Sequence, residues 1–176
     1  MTLRWRRWLG VAVVLVAIAA AFRLVGSGWA PSVSLAPRFV AQTLSTPAEM
    51  RSLDDYKGAP LLMNVWATWC DPCREEMPSL ERLYREYRER GLRVVAISID
   101  DGGQADLINE FVSEHGLTFD VLHDPKSAIM RQYPVRGVPQ TFLISRDGEI
   151  RATRYAEDWY SAANRALVDS LIVRDR

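Results

Sequence analysis

The run Leu61-Leu62-Met63-Asn64-Val65-Trp66, apolar except for Asn64, leads into Ala67-Thr68-Trp69-Cys70-Asp71-Pro72-Cys73, after which Met77, Leu80, Leu83, Tyr84 and Tyr87 recur at helical spacing. A buried strand that feeds directly into a helix is therefore expected, with two cysteines on the hinge. Glu81 with Arg85 and Glu86 with Arg90 are spaced for i,i+4 pairs on the wet face of that helix, and Gly91 is its expected stop. Val94 to Ile99 is another short β-branched run, followed by a helical pattern carrying Leu107, Ile108, Phe111 and Val112. This strand–helix alternation implies right-handed crossovers, a largely parallel centre and helices on both faces, an α/β domain. The last third predicts an antiparallel hairpin, Gln140 to Ser145 and Glu149 to Tyr155 around the turn Arg146-Asp147-Gly148, and a terminal helix near Trp159–Val173. A short strand is expected near Phe39–Leu44, and Tyr155, Trp159 and Tyr160 are expected to pack the last helix.

The two cysteines are the only ones in 176 residues, too few and too close for a disulfide framework that staples a small fold. A structural zinc site needs about four ligands, and the only histidines, His115 and His123, come without a second cysteine pair. Both histidines are expected at the surface or in loops, without a role. The cysteines read as a reactive pair. At a helix N-terminus the first N–H groups lack intrahelical partners and the dipole favours negative charge, so a Cys70 thiolate is stabilised there. Pro72 needs no N–H in the first turn, and the two-residue spacing brings Cys73 within reach of Cys70 as the resolving thiol. Twenty-two basic and 22 acidic side chains balance, so no global field favours a nucleic acid or another polyanion.

Arg4, Arg6 and Arg7 precede an apolar stretch from Leu9 to Phe22, an arrangement that keeps the start of the chain cytoplasmic and exports the body of the protein. Two outcomes stay open. With Trp5, Trp8 and Arg23 at its ends the segment is an uncleaved anchor over residues 1–25; with Ala19 to Ala21 as a cleavage signal it is a removed leader. Arg6-Arg7 also hints at a twin-arginine signal, in a weakly fitting context. Residues 26–36 read as a proline-punctuated linker, and 37–176 as the domain.

Trp69-Cys70-Asp71-Pro72-Cys73 after a buried strand resembles the thioredoxin superfamily. Val138-Pro139-Gln140-Thr141-Phe142-Leu143-Ile144 is similar to the cis-proline strand that packs beside the dithiol in that superfamily and pairs its backbone with the substrate peptide. Pro78 matches the place where the active-site helix kinks. The exported anchor, the strand and helix inserted between about Gly91 and Asp124, and the Cys-x-Pro-Cys form resemble the TlpA/ResA-like branch over residues 37–173. This resemblance implies a thioredoxin-like fold, a central mixed sheet with helices on both faces, plus one N-terminal transmembrane helix. It places the domain on the outer face of an inner membrane. It implies reduction of protein disulfides by dithiol exchange, in several members for cytochrome c maturation, with no cofactor beyond the Cys70–Cys73 pair. The implied partners are a disulfide-bearing exported protein such as apocytochrome c and a membrane electron donor of the DsbD/CcdA kind. Cys70, Cys73 and Glu76 carry over as catalytic, and Trp69, Pro72, Val138 and Pro139 as substrate-binding.

Two acids bear on direction. Asp71, between the cysteines, is expected to raise the thiolate pKa modestly and so to favour a reducing pair. Glu76 matches an acidic position that tunes the cysteines in ResA-like proteins; its plainer reading is an exposed first-turn acid favoured by the dipole. Trp66 is expected to be core packing and Trp69 part of an apolar docking surface. Rival functions are a peroxidase of the peroxiredoxin type, a DsbA- or DsbC-like oxidase or isomerase, and a copper or haem chaperone. The peroxidase signature requires proline at 63 and threonine at 67, where this chain has Met63 and Ala67. Cytoplasmic thioredoxin carries a buried aspartate where this chain has Asn64. If Glu76 replaces that acid, a Glu76→Gln change shifts the thiol titration of the reduced protein more than an Asn64→Ala change does.

Overall fold

The computed structural model describes residues 34–45 and 48–174. Every residue of β4 (Leu61–Trp66) is buried, Asn64 included, because the strand lies mid-sheet with cover on both faces. Beyond it runs α1 (Asp71–Tyr87), which encloses Pro78 and ends in a short 3-10 turn closed by Gly91 at φ 96°, a left-handed conformation that suits glycine. β5 (Arg93–Ser98) lies parallel to β4, and α2 (Ala105–Glu114) then leads to β6 (Asp120–His123), parallel to β5. After the single turn α3 (Ile129–Gln132), β7 (Gln140–Ile144) and β8 (Glu149–Tyr155) form the expected hairpin, and α4 (Ala162–Arg174) closes the chain.

The expected short strand is β2 (Val40–Thr43), and two edge strands, β1 (Ser34–Leu35) and β3 (Met50–Ser52), lie where none was expected. They carry too few residues for an alternation to register. The sheet order is β1-β8-β7-β4-β5-β6-β2-β3. Its centre is mixed, with β4 parallel to β5 and antiparallel to β7. The anchor expected over 1–25 lies outside the described residues; among the described ones no helix is long and apolar enough to cross a membrane. Of the linker expected over 26–36 only the end is described, and it joins the sheet: β1 pairs with β8, and the Ala36 N–H donates to Gly148 O at 2.8 Å.

Strand alternation sends Leu62 and Trp66 to one face, against Met77, Leu80 and Leu83 of α1, Phe111 of α2 and Val168 and Ile172 of α4. Leu61, Met63 and Val65 point to the other, against Phe39, Ile129 and Phe142. Trp66 packs on Phe111 with ring centroids 4.7 Å apart, the core role expected of it.

Polar residues at the carboxyl ends of β5 and β6 hold the loop before the cysteines. Asp100 is fully buried, and its carboxylate accepts from the Thr68 N–H at 3.0 Å, the Thr68 hydroxyl at 2.6 Å and the Ser98 hydroxyl at 2.6 Å. His123, expected in a loop, is the last residue of β6 and only 1% exposed. Its Nε2 lies 2.8 Å from the Asp100 carbonyl, so that nitrogen carries the proton, leaving Nδ1 to accept from Gln42 at 3.3 Å. Glu81 also departs from expectation. It is buried, where it accepts from the Thr118 N–H and hydroxyl as well as pairing with Arg85. Arg90 pairs with Asp169 across the fold instead of with Glu86. Asp100→Ala would strand three donors in the interior, and a loss of about 2–4 kcal/mol in chemical denaturation is expected.

Candidate active site

The step from β4 to α1 places Cys70 at the helix N-cap, with extended backbone, and Asp71 and Pro72 open the first turn. The Cys73 N–H donates to Cys70 Sγ at 3.2 Å, and the Arg74 N–H to the Cys70 carbonyl at 3.1 Å. Sγ therefore sits where the unpaired N–H groups and the helix dipole favour a negative charge. The two sulfurs are joined in a disulfide, with Cα atoms 5.2 Å apart. Both cysteines are buried, Cys73 at 0% and Cys70 at 5% exposure, so Cys70 is the more accessible of the two. Trp69 beside Cys70 is 65% exposed, a large apolar surface at the mouth of the site. Asp71 and Pro72 are also exposed.

Pairing of Val65 with Gln140 brings the start of β7 beside the end of β4. The Val138–Pro139 bond is cis, Pro139 is buried, and Val138 packs against the apolar cluster that contains Cys70 and Cys73. The sequence elements 69–73 and 138–139, far apart in the chain, thus border the same apolar cluster. Tyr155 on β8 donates from its hydroxyl to the Val138 carbonyl at 3.3 Å; it is exposed and does not pack the last helix.

Glu76 is 4% exposed, which overturns its reading as an ordinary surface acid. Oε1 accepts from Trp159 Nε1 at 2.7 Å, Asn64 Nδ2 at 2.9 Å and the Thr141 hydroxyl at 3.3 Å, and Oε2 from the Glu157 N–H at 3.2 Å. Asn64 and Thr141 are direct partners in the β4–β7 register, which aims both side chains at the same face. Burial pushes the Glu76 carboxyl above its ordinary value, the charge of Glu157 adds to that, and the donors from Trp159, Glu157 and Thr141 oppose it.

Trp159 and Thr141 were missing from the candidate residues. Trp159 was expected in the terminal helix, but α4 begins at Ala162, and the indole is instead fully buried as a donor to Glu76. No local pattern marks it; Thr141 could be found by pairing the two predicted strands. Tyr160 packs its ring against Arg82 and Arg165 and donates to Glu86.

Because its folded pKa is raised, Glu76 keeps a proton in the native chain over a pH range, starting near 4.5, in which the unfolded chain has released it. Its contribution to stability is therefore present at lower pH and is lost as pH rises through the folded pKa. Denaturation of wild type and Glu76→Gln between pH 4 and 8 should show a smaller fall with rising pH in the variant; parallel curves would refute the assignment.

Comparison with known proteins agrees with this geometry. A model of the AhpC/TSA family matches residues 34–153. The thiol-disulfide oxidoreductase ResA of Oceanobacillus iheyensis is 38% identical over 117 residues, 65% of this chain and 60% of that protein. The thioredoxin-like protein YneN of Bacillus subtilis is 40% identical over 117 residues, 66% of each chain. The match with that ResA thus spans less than two thirds of its length. Among solved structures, a Chlorobium tepidum protein provisionally named as the thiol:disulfide interchange protein DsbE superposes with a TM-score of 0.67 at 28% identity, covering 81% of this chain and 96% of that one. With the family match across residues 34–153 and a cysteine pair at the head of a helix in a thioredoxin-like α/β fold, the chain belongs to the AhpC/TSA family.

Proposed function

We propose that the chain is a thiol–disulfide oxidoreductase that works as a reductant of protein disulfides on the extracytoplasmic side of a membrane. The observation that carries this reading is the placement of Cys70 Sγ at the N-cap of α1, where it accepts from the Cys73 N–H and is the slightly accessible member of a pair whose other member, Cys73, is fully enclosed. In the reduced protein the Cys70 thiolate attacks one sulfur of a substrate disulfide, forming a mixed disulfide and releasing the first substrate thiolate, which takes up a proton. Cys73 then loses its proton and attacks Cys70 Sγ, which releases the second substrate sulfur as a thiolate that takes up a proton, and leaves Cys70–Cys73 oxidised. Two electrons pass to the substrate. Glu76, one helical turn beyond Cys73 and with its pKa raised by burial, is the group we assign to receive the Cys73 proton.

Trp69, Pro72 and Val138, backed by the buried cis Pro139, form the surface on which the substrate lies, by analogy with the superfamily. The basic and apolar N-terminal segment supports export and attachment to an inner membrane. Kinship with ResA-named proteins supports a role in cytochrome c maturation, with apocytochrome c as substrate and a DsbD/CcdA-like donor that restores the dithiol. A peroxidase reading has the family name in its favour, but Met63 and Ala67 occupy the positions where its signature needs proline and threonine.

Cys73→Ser, expressed in the native cells, is expected to accumulate a mixed disulfide with the substrate, and Cys70→Ser to trap nothing and to reduce disulfides at the uncatalysed rate. A redox potential near −120 mV, typical of a strong oxidant, would overturn the reductant assignment.

A further inference from the structure

Beside the disulfide, on the side of the inserted helix α2, lies a cleft of about 320 Å³ between Trp69 and that helix. Phe111 is its floor and is almost fully buried, whereas Leu107 is half exposed at its edge. Glu110 and Glu114, one helical turn apart and both exposed, also line the cleft. With Asp106 they form an i,i+4 series of like charges, and α2 contains no lysine or arginine to relieve it. The cation within the cleft is Arg74, whose guanidinium is held 5.2 Å from the centre of the Phe111 ring. It leaves the lining with an excess of negative charge.

A second cleft, of about 300 Å³ against the first turn of α1, is walled by Glu75, Glu157 and Asp158 as well as by Pro72. The chain as a whole is neutral, yet the surface around its reactive sulfurs is acidic on both of these flanks.

We propose that the α2 cleft receives a lysine or arginine side chain of the substrate polypeptide, placed close to the disulfide being reduced. This rests on the reductase reading above and adds to it the chemical class of the substrate. The chemistry selects this occupant. A long aliphatic stem covers Trp69 and Leu107, and its cationic head reaches Glu110 and Glu114 while lying near the face of an exposed indole. A wholly apolar side chain would strip water from two carboxylates and return no partner, and an acidic one would be repelled. The same field steers a basic segment toward Cys70 before contact is made.

The test uses the reduced full-length protein and three disulfide-bonded peptides that differ only in carrying lysine, alanine or glutamate next to the cysteine, with a small uncharged aryl or alkyl disulfide as control. The lysine peptide should be reduced with a kcat/KM about tenfold above that of the glutamate peptide at low salt, the preference shrinking at about 0.5 M salt. In a Glu110→Lys/Glu114→Lys double variant the preference should vanish or invert, while the rate with the uncharged disulfide is unchanged. Equal rates for all three peptides, or a preference that survives in the double variant, would overturn this proposal alone. Failure to reduce the peptides and the small disulfide alike would overturn the reductase reading and this one with it.

Discussion

A carboxylate shut away from water has to be met by donors, and in this protein two such groups, Glu76 and Asp100, anchor the junction that carries the cysteine pair. Glu76 gathers β4 through Asn64, β7 through Thr141 and the approach to α4 through Glu157 and Trp159. Asp100 ties the loop at Thr68 to the end of β5. Apolar packing alone would hold these elements together without fixing their angles. Hydrogen bonds to a buried acid are directional, so they set where the start of α1 lies relative to the sheet.

The arrangement separates two kinds of acidity. The interior carboxylates are each met by several donors and act on structure and, for Glu76, on proton affinity. The acids that line the clefts beside Pro72 and α2 lie nearer the surface and shape the field that an arriving molecule meets. Between the two lies the disulfide, with Cys70 slightly accessible and Cys73 fully enclosed. That layering suits exchange chemistry, in which one sulfur must meet a visitor and the other must attack only after the first has done so.

Where the sequence and the structure part, the cause is long-range. Glu81 has the spacing of a surface ion pair, yet Thr118 approaches from the loop after α2 and, together with Arg85, surrounds it with donors. His123 is a polar residue at the end of the short run Phe119-Asp120-Val121-Leu122, and only the pairing of β6 with β5 and β2 makes it interior. Strands β1 and β3 exist because neighbours are present to pair with, and α3 is a single turn whose first N–H groups include one capped by Asp124. The start of α4 moved for a similar reason: Trp159 is drawn to Glu76 before the helix begins.

From its order of residues alone, the chain specifies a buried strand delivering two cysteines to a helix N-terminus, an α/β alternation and a final hairpin. These rest on periodicity, capping and turn chemistry, which are local. The thioredoxin-like outline and the approach of 138–139 to the cluster that holds the cysteines were legible only through resemblance. Tertiary structure decided that Glu76 is interior, that Trp159 and Thr141 share its oxygens and that Asp100 holds Thr68, because burial and hydrogen-bond partnership are properties of residues distant in sequence brought to one place.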